Sequence, residues 1–366
     1  MNAITPEAST NQLAFSFSDT PPARNGKVVK QRNFDLRTKP PVTLTQAQRR
    51  AINEQVREIL NNGAAGDDDR GILYKFTGEG GLSAGTREAL NQHFTDFATI
   101  RAIYRALDNA GFHYRKVLEP AAGSGNFVGM RPECDWTTVE LDPVCHALLN
   151  RLYPDAKHYN ISFEQFTAAG FDLVISNVPF SEERGAGSLD TRPDIRTLHD
   201  FYVVHALERV KENGLVVFIT STGTMDKVDS AVREEITRQA DVLAAFRLPE
   251  GHFRKSAHTD VTVDIIFLMK RPAGTEPREE NRIINKAFRD VRREARDLRI
   301  NTCYDLFPDH ILGELSVGKG RMRYGKEVYV VKGVADLERI EIDYRPYPVK
   351  PDSDTDEKET TEKPSW

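Results

Sequence analysis

Apolar and polar positions alternate between the spacings of helices and strands from about residue 91 onwards. Short apolar runs typical of buried strands lie at 116–119, 137–140, 171–176, 215–220, 242–247 and 261–270. Stretches with helical spacing lie between them, at 97–110, 143–153, 201–211 and 231–239. Strands and helices that alternate over about 170 residues are typical of a mostly parallel sheet with helices on both faces. The pattern therefore predicts a doubly wound α/β domain.

The chain on either side of this region has a different character. Residues 1–42 are rich in Pro, Ser, Thr and Asn and include six basic residues between 24 and 39, which predicts a flexible basic arm. Thr45 and Gln48 have the spacing of a capping box, and so predict a helix that Asn62-Gly63 ends. We divide the chain into the arm (1–42), a helix and linker (43–70), the α/β domain (71–272), a small subdomain (273–345) and a disordered acidic tail (346–366).

Composition and charge narrow the class of protein. With 39% hydrophobic and 29% charged residues, the chain has the composition of a globular rather than a fibrous or disordered protein. No apolar run approaches the roughly 20 residues that span a bilayer, and the three cysteines lack the spacing of a zinc site. We therefore expect a cytoplasmic protein without a structural metal. Six acids and two lysines after residue 351 carry −4 of the net charge of −5, so the body is almost neutral.

The loop after the first predicted strand has the residues of a nucleoside-cofactor site. Glu119 ends that strand, and Gly123 and Gly125 follow in a turn where a ligand can approach the backbone closely. A carboxylate at Glu119 suits a cationic amino group and would repel a pyrophosphate. Glu140 ends the second strand, where an acid accepts hydrogen bonds from ribose hydroxyls. Val128 replaces the third glycine of a dinucleotide fingerprint, which argues against a nicotinamide cofactor.

The third strand ends in Asn177-Val-Pro-Phe180, whose groups suit chemistry at the amino group of a base. Such an amino group is a poor nucleophile because its lone pair is delocalised into the ring. The Asn177 side-chain oxygen and the Val178 carbonyl would accept its two hydrogens and expose the lone pair. Pro179 would stiffen the loop, and Phe180 would stack on an extruded base. Positioning and electrostatics would then carry the transfer, without a metal or covalent intermediate.

These stretches resemble the amino-methylating DNA methyltransferases in which the cofactor motifs precede the catalytic motif. That family has a loop similar to EPAAGSGNF and a tetrapeptide Asn/Asp/Ser-Pro-Pro-Tyr/Phe. The chain is most similar to the methylase part of the helicase–methylase proteins of phages and mobile elements, over about residues 72–332, and has no counterpart of the helicase. The stretches that carry the resemblance are LEPAAGSGNF (118–127), FDLVISNVPF (171–180), LHDFYVVHAL (198–207), FRLPEGHF (246–253), TVDIIFLMKR (262–271), INTCYDLFPDHILGELS (300–316) and GKGRMRYG (318–325).

The resemblance implies a mostly parallel, seven-stranded methyltransferase sheet of Rossmann-like type, with S-adenosyl-L-methionine as the cofactor and the N6 amino group of adenine in DNA as the acceptor. The catalytic residues that it implies are Asn177, Val178, Pro179 and Phe180. The cofactor-binding residues that it implies are Thr95, Glu119, Ala121, Gly123, Gly125, Glu140, Ser162, Phe163 and Asn177.

Three positions depart from the family pattern. Asp96 replaces the proline of an aromatic–Thr–Pro motif, which still leaves Thr95 as a cofactor contact. Ser162 replaces the acid of an acid–aromatic pair, so that only Phe163 would hold the cofactor adenine. Val178 replaces the first proline of the tetrapeptide. Because that position acts through its backbone carbonyl, we expect activity to be retained.

Contact with DNA would fall to arginines near the catalytic loop and in the small subdomain. Residues 283–299 predict one amphipathic helix with an arginine stripe beside an acidic stripe, so that phosphate contact and pairing within the helix both stay open. The small subdomain is short for reading a long site, so we expect low sequence specificity. The candidate DNA-binding residues are Arg184, Arg192, Arg196, Arg289, Arg292, Arg293, Arg296, Arg321 and Arg323.

Two other functions stay open at this point. Methyltransferases that act on RNA or on protein glutamine also use an Asn-Pro-Pro-Tyr-like loop, although they lack the downstream stretches. A catalytically silent methyltransferase fold that binds DNA would explain the departures at Val178 and at Thr95-Asp96.

Overall fold

The structure, a computed structural model, describes residues 32–62, 67–78, 95–180, 192–253, 262–295, 298–319 and 327–348. Its helices are α1 (Gln46–Asn61), α2 (Asp67–Leu73), α3 (Phe97–Asn109), α4 (Asn126–Met130), α5 (Pro143–Leu152), α6 (Leu198–Arg209), α7 (Thr222–Asp226), α8 (Ala231–Gln239), α9 (Glu279–Arg289) and α10 (Cys303–Leu306). Its strands are β1 (Lys116–Glu119), β2 (Asp135–Val139), β3 (Lys157–Tyr159), β4 (Phe171–Asn177), β5 (Val210–Ser221), β6 (Ala240–Leu248), β7 (Val263–Lys270), β8 (Val291–Arg293), β9 (Arg299–Asn301), β10 (Glu314–Lys319) and β11 (Glu327–Lys332).

The predicted doubly wound α/β fold is confirmed. Seven strands form one sheet in the order β3-β2-β1-β4-β5-β7-β6, in which β7 runs antiparallel to both of its neighbours. The sequence pattern did not show β3, which has only three residues, Lys157-His-Tyr159. Strands β1, β2, β4 and β5 all end at one edge, which we call the carboxyl edge. Because Val263 pairs with both Ser221 and Leu248, the end of β6 and the start of β7 also lie there.

The sheet is buried on both faces because its strands are apolar at nearly every position. Side chains alternate between the faces, so Leu173 and Ile175 of β4 join one core cluster and Val174 joins the other. The first cluster includes side chains of α3 and α5, and the second includes side chains of α6, α8 and α9. Helices therefore cover both faces and fix the position of the carboxyl edge.

The end of the predicted basic arm lies against the domain. The capping box that begins α1 is present, since the Thr45 hydroxyl accepts from the Gln48 N–H at 3.3 Å and the Gln48 side chain accepts from the Thr45 N–H at 2.9 Å. Just before it, the Leu36 N–H donates to the Gly129 carbonyl at 2.8 Å, and the Leu36 side chain is buried. A Cβ at Gly129 would lie 2.4 Å from that side chain, so glycine at this helix position leaves the space that Leu36 occupies.

The single helix predicted over 283–299 is wrong. Helix α9 ends at Arg289, and β8 then pairs antiparallel with β9. Side chains from elsewhere take the last carbonyls of α9: Arg233 donates to the Arg289 carbonyl at 3.1 Å, and Asn301 donates to the Phe288 carbonyl at 2.8 Å. Thr302 donates to the Ala287 carbonyl at 2.8 Å. Because side chains satisfy these carbonyls, the chain can leave the helix at Arg289 without losing hydrogen bonds. The described arginines after that point therefore do not continue a helical stripe.

A buried ionic cluster joins the small subdomain to the sheet; we call it the Arg247 cluster. Arg247, 1% exposed, donates two hydrogen bonds of 2.8 Å to Asp264 and two of 2.8 and 3.0 Å to Asp226. The Tyr304 hydroxyl donates to Asp264 at 2.7 Å, and the Asn301 N–H donates to Asp226 at 2.9 Å. The start of β7, which lies at the carboxyl edge, is therefore tied to residues 301–304.

The small subdomain also covers the outer edge of β6. Ile311 forms a parallel bridge with Arg247, and the Leu312 N–H donates to the Arg247 carbonyl at 2.9 Å. Beyond this bridge, β10 and β11 form an antiparallel pair.

Membrane-spanning helices and metal-binding clusters are absent from the described ranges. No helix in them is long and apolar enough to span a membrane. Nor do their His, Cys, Asp and Glu side chains form a group of three or more that could hold a metal ion.

Candidate active site

The glycine loop between β1 and α4 forms the centre of the carboxyl edge. Gly123 and Gly125 have φ angles of 52° and 76°, in the left-handed region that favours glycine. A Cβ at Gly125 would lie 2.4 Å from the Tyr153 ring, so packing also requires glycine there. The Ala122 N–H donates to the Val139 carbonyl at 3.2 Å and ties the loop to β2.

Two carboxylates flank this loop, as the sequence predicts. Glu140 accepts from the N–H groups of Gly123 at 2.7 Å and Asp142 at 2.8 Å, and burial raises its pKa to about 7. Glu119 is 2% exposed, and its Oε2 has no hydrogen-bond partner. Burial, together with the charge of Glu140, raises the pKa of Glu119 well above its usual value. A buried carboxylate oxygen without a donor is costly, and a bound cationic amino group would relieve that cost.

The Thr95-Asp96 pair lies beside the glycine loop. The Thr95 carbonyl accepts from the Asn126 side-chain amide at 3.0 Å, one residue beyond Gly125. Asp96 is the N-cap of α3, since its carboxylate accepts from the N–H groups of Ala98 at 2.9 Å and Thr99 at 3.0 Å. The aspartate thus begins the helix where the family has a proline. Phe94, which precedes Thr95, lies outside the described residues.

The tetrapeptide 177–180 meets the glycine loop at the end of β4. The Ser176 hydroxyl donates to the Ala121 carbonyl at 3.3 Å and joins the two elements. The Val178 N–H donates to the Ile219 carbonyl at 3.1 Å, and its side chain is 2% exposed. Valine therefore extends the pairing with β5 by one hydrogen bond that proline lacks. Pro179 and Phe180 are half-buried, and Phe180 packs against both core clusters.

Ser162 and Phe163 lie next to this edge, in a short 3₁₀ turn at Phe163–Gln165. The Ser162 hydroxyl caps the turn, and the Phe163 ring is 1% exposed, with its centroid 5.0 Å from that of Tyr202. Glu164 and Tyr202, which lie beside Phe163, are not among the site residues that the sequence predicts. Burial, together with the charges of Glu140 and Glu164, raises the pKa of Tyr202. An acid one position after the expected place was the available signal for Glu164.

The candidate DNA-binding arginines fall into three groups. Arg192 is paired with Glu235 at 2.7 Å and Asp194 at 2.6 Å, and Arg292 is paired with Asp305 at 3.2 Å and with Glu294. Arg289 is half-buried, whereas Arg196 and Arg293 are exposed. The candidates that lie outside the described residues are Arg184, Arg296, Arg321 and Arg323.

Comparisons with known proteins bear on this site. The model of the N-6 DNA methylase family matches residues 150–303, a range that includes the tetrapeptide but not the glycine loop. The defense against restriction protein B of Escherichia phage P1 is 26% identical over 236 residues, which cover 62% of this chain and 10% of that protein. The chain thus spans about a tenth of this relative's length.

Solved structures show a distant likeness. A putative class I S-adenosylmethionine-dependent methyltransferase from Listeria monocytogenes is 16% identical, with a TM-score of 0.45 over 62% of this chain and 71% of that one. A modification subunit of a putative type I restriction enzyme from Vibrio vulnificus is 17% identical, with a TM-score of 0.43 over 61% of this chain and 49% of that one.

The match to a methylase family and the carboxylates beside the glycine loop both indicate a site for S-adenosyl-L-methionine. An unpartnered carboxylate at Glu119 and backbone-held Glu140 fit the amino group and ribose of S-adenosyl-L-methionine. The match to a methylase family confirms the predicted cofactor, S-adenosyl-L-methionine. Residues 150–303 of this chain are thus similar to the N-6 DNA methylase family.

Proposed function

We propose that the protein transfers a methyl group from S-adenosyl-L-methionine to the N6 amino group of adenine in DNA. The observation that carries the proposal is the joining of the tetrapeptide 177–180 to the glycine loop through Ser176 and Ala121, beside the unpartnered carboxylate of Glu119. A site for a cationic nucleoside and a loop that suits a base amino group thus share one edge of the sheet.

The cofactor supplies an activated methyl group when it is bound. Glu119, with the turn of Ala121, Gly123 and Gly125, would hold its methionine portion. Glu140 would accept hydrogen bonds from the ribose hydroxyls through the lone pairs left free by its two backbone donors. Contacts from Thr95, Ser162, Phe163 and Asn177 would complete the pocket.

Asn177 and Val178 would prepare the amino group for attack. The Asn177 side-chain oxygen and the Val178 carbonyl would accept its two hydrogens and make its lone pair available. Their positions are set in advance, because Asn177 pairs with Ile219 in the sheet and the Val178 side chain is buried in the core. Acceptors held in this way need no reorganisation during the reaction.

DNA would bind across the carboxyl edge, with the target adenine extruded from its stack onto Phe180. Among the described candidates we assign phosphate contact to the exposed Arg196 and Arg293, since Arg192 and Arg292 are engaged with acids. We therefore expect Arg196 and Arg293 to contribute more to DNA affinity than the two paired arginines.

The direct test is mass spectrometry of the nucleosides from unmethylated DNA incubated with the purified protein and S-adenosyl-L-methionine. N6-methyladenine that depends on the cofactor is the expected product. N4-methylcytosine would keep the mechanism and overturn the base. Methylation of RNA or of a protein glutamine would overturn the substrate, and cofactor binding without any product would indicate a silent fold.

We propose low sequence specificity for this reaction. The small subdomain has few residues for reading a long site, and short or permissive contexts would suit protection of DNA against several restriction enzymes. Sequencing of the methylated positions on a plasmid should show adenine methylation in many contexts. A strict site of six or more bases would contradict the prediction.

Affinity for S-adenosyl-L-methionine is expected to rise as the pH increases from about 6 to 8. Glu119 and Glu140 both have raised pKa values, so at low pH they hold protons that must leave before they can act as carboxylates. Binding should therefore release protons, and each proton released changes the affinity by up to about tenfold per pH unit. Calorimetry in buffers of different ionisation enthalpy measures this release. Glu119→Gln should reduce it, and equal affinity at both pH values would contradict the prediction.

A further inference from the structure

The segment 249–253 crosses from the end of β6 to the first turn of α3. Phe253 is 3% exposed in the core cluster that includes α3, and the Glu250 N–H donates to the Val331 carbonyl at 2.7 Å. A Cβ at Gly313 would lie 3.0 Å from the Pro249 ring, so the small subdomain packs closely on the segment. The segment is thus fixed on both sides of His252.

His252 makes a directional contact with α3. Its Nε2 lies 2.8 Å from the Thr99 hydroxyl oxygen and 3.5 Å from the Asp96 carboxylate. The Thr99 hydroxyl donates its own hydrogen to Asp96 at 2.7 Å, so towards His252 it can only accept. His252 must therefore carry a proton on Nε2, and the hydrogen bonds run from His252 through Thr99 to Asp96.

The same first turn of α3 holds the glycine loop. Asp96 follows Thr95, whose carbonyl accepts from the Asn126 side-chain amide. The Ser124 hydroxyl, within the loop, donates to the Asn126 side-chain oxygen at 3.1 Å. Burial opposes the charge on Asp96, but the nearby His252 and the hydrogen bond from Thr99 outweigh it and lower the pKa of that carboxylate. An ionised cap keeps the turn in place.

We infer that His252 is a positioning residue for the cofactor pocket, which holds Thr95 and the glycine loop in their binding arrangement through Thr99 and Asp96. This inference rests on the proposed function, because it concerns the same cofactor. His252 itself need not touch the cofactor; it sets the place of the residues that do.

A matched pair of amides tests the role. Glutamine places its amide nitrogen near the position of Nε2, whereas asparagine is too short to reach Thr99. The Kd for S-adenosyl-L-methionine, measured by calorimetry, should rise about tenfold in His252→Asn and less than about twofold in His252→Gln, as expected for a hydrogen bond in a charged network. In steady-state assays the KM for the cofactor should rise in His252→Asn, while kcat at saturation stays within about twofold.

Thr99→Val and Thr99→Ser provide an independent pair should His252→Asn fail to fold. Serine keeps the hydroxyl relay and valine removes it, so only valine should weaken binding. Tyr344→Phe is the control for general destabilisation, since it removes a 3.0 Å hydrogen bond to Asn213 at the start of β5, at the opposite edge. Equal affinity in both members of either pair would overturn the inference. Failure of the wild type to bind would instead overturn the proposed function together with the inference.

Discussion

Replacing Asn177 by alanine is expected to lower the rate of methyl transfer by about 10² to 10³, the usual effect of removing one group that stabilises a transition state in a fixed site. In the proposed reaction, the side-chain oxygen of Asn177 would be one of two acceptors for the hydrogens of the target amino group. The Val178 carbonyl, the other acceptor, would remain because the 3.1 Å hydrogen bond between the Val178 N–H and Ile219 is unaffected. One acceptor would hold the amino group loosely and leave its lone pair delocalised.

Cofactor binding separates this role from a structural one. Asn177 is also expected to contact S-adenosyl-L-methionine, but a single hydrogen bond accounts for less than about tenfold in affinity. Single-turnover kinetics and calorimetry on the same preparation should therefore show a large fall in rate beside a small change in Kd. Asn150→Ala is the control, because Asn150 is exposed on α5 and bonds to His146. Wild-type rates in Asn177→Ala would contradict the catalytic assignment.

Replacing Arg247 by methionine should lower the free energy of unfolding by about 3–5 kcal/mol, the usual cost of breaking a buried ion pair. Methionine fills most of the space of the arginine, but Asp226 and Asp264 would lose their shared partner while they stay buried. The charge lost is 1% exposed, so water cannot replace it. Urea unfolding followed by circular dichroism measures the change.

A surface ion pair provides the comparison for this variant. Arg115 lies 2.9 Å from Asp135, with side chains that are 81% and 61% exposed, so Arg115→Met should change the free energy of unfolding by less than about 1 kcal/mol. A similarly small loss in Arg247→Met would show that the Arg247 cluster contributes little to stability.

The parts of the fold that the sequence could predict depend on local rules. The apolar strands, the capping box at Thr45 and the turn with Gly123 and Gly125 each follow from neighbouring residues. The order of Glu119, Glu140 and the tetrapeptide along the chain also predicted their common edge, because parallel strands end on the same side. These residues indeed lie around one loop.

The parts that could not be predicted depend on distant partners. The periodicity of 283–299 continues past Arg289, and only the folded chain shows that Arg233 and Asn301 take the last carbonyls of α9. Likewise Arg192 has the sequence context of a phosphate contact, but Glu235, 43 residues away, is paired with it. The contact from His252 to Thr99 spans 153 residues and has no local signal.

The bridge between Ile311 and Arg247 has a consequence for work with fragments of this chain. Without residues after 272, the outer carbonyl of Arg247 in β6 would lose the N–H of Leu312 as its partner, and an uncovered strand edge recruits strands from other molecules. A fragment cut at the predicted boundary would thus tend to aggregate even though its sheet is complete. The family match runs across this boundary to residue 303, and the unit suited to expression extends at least through Leu312.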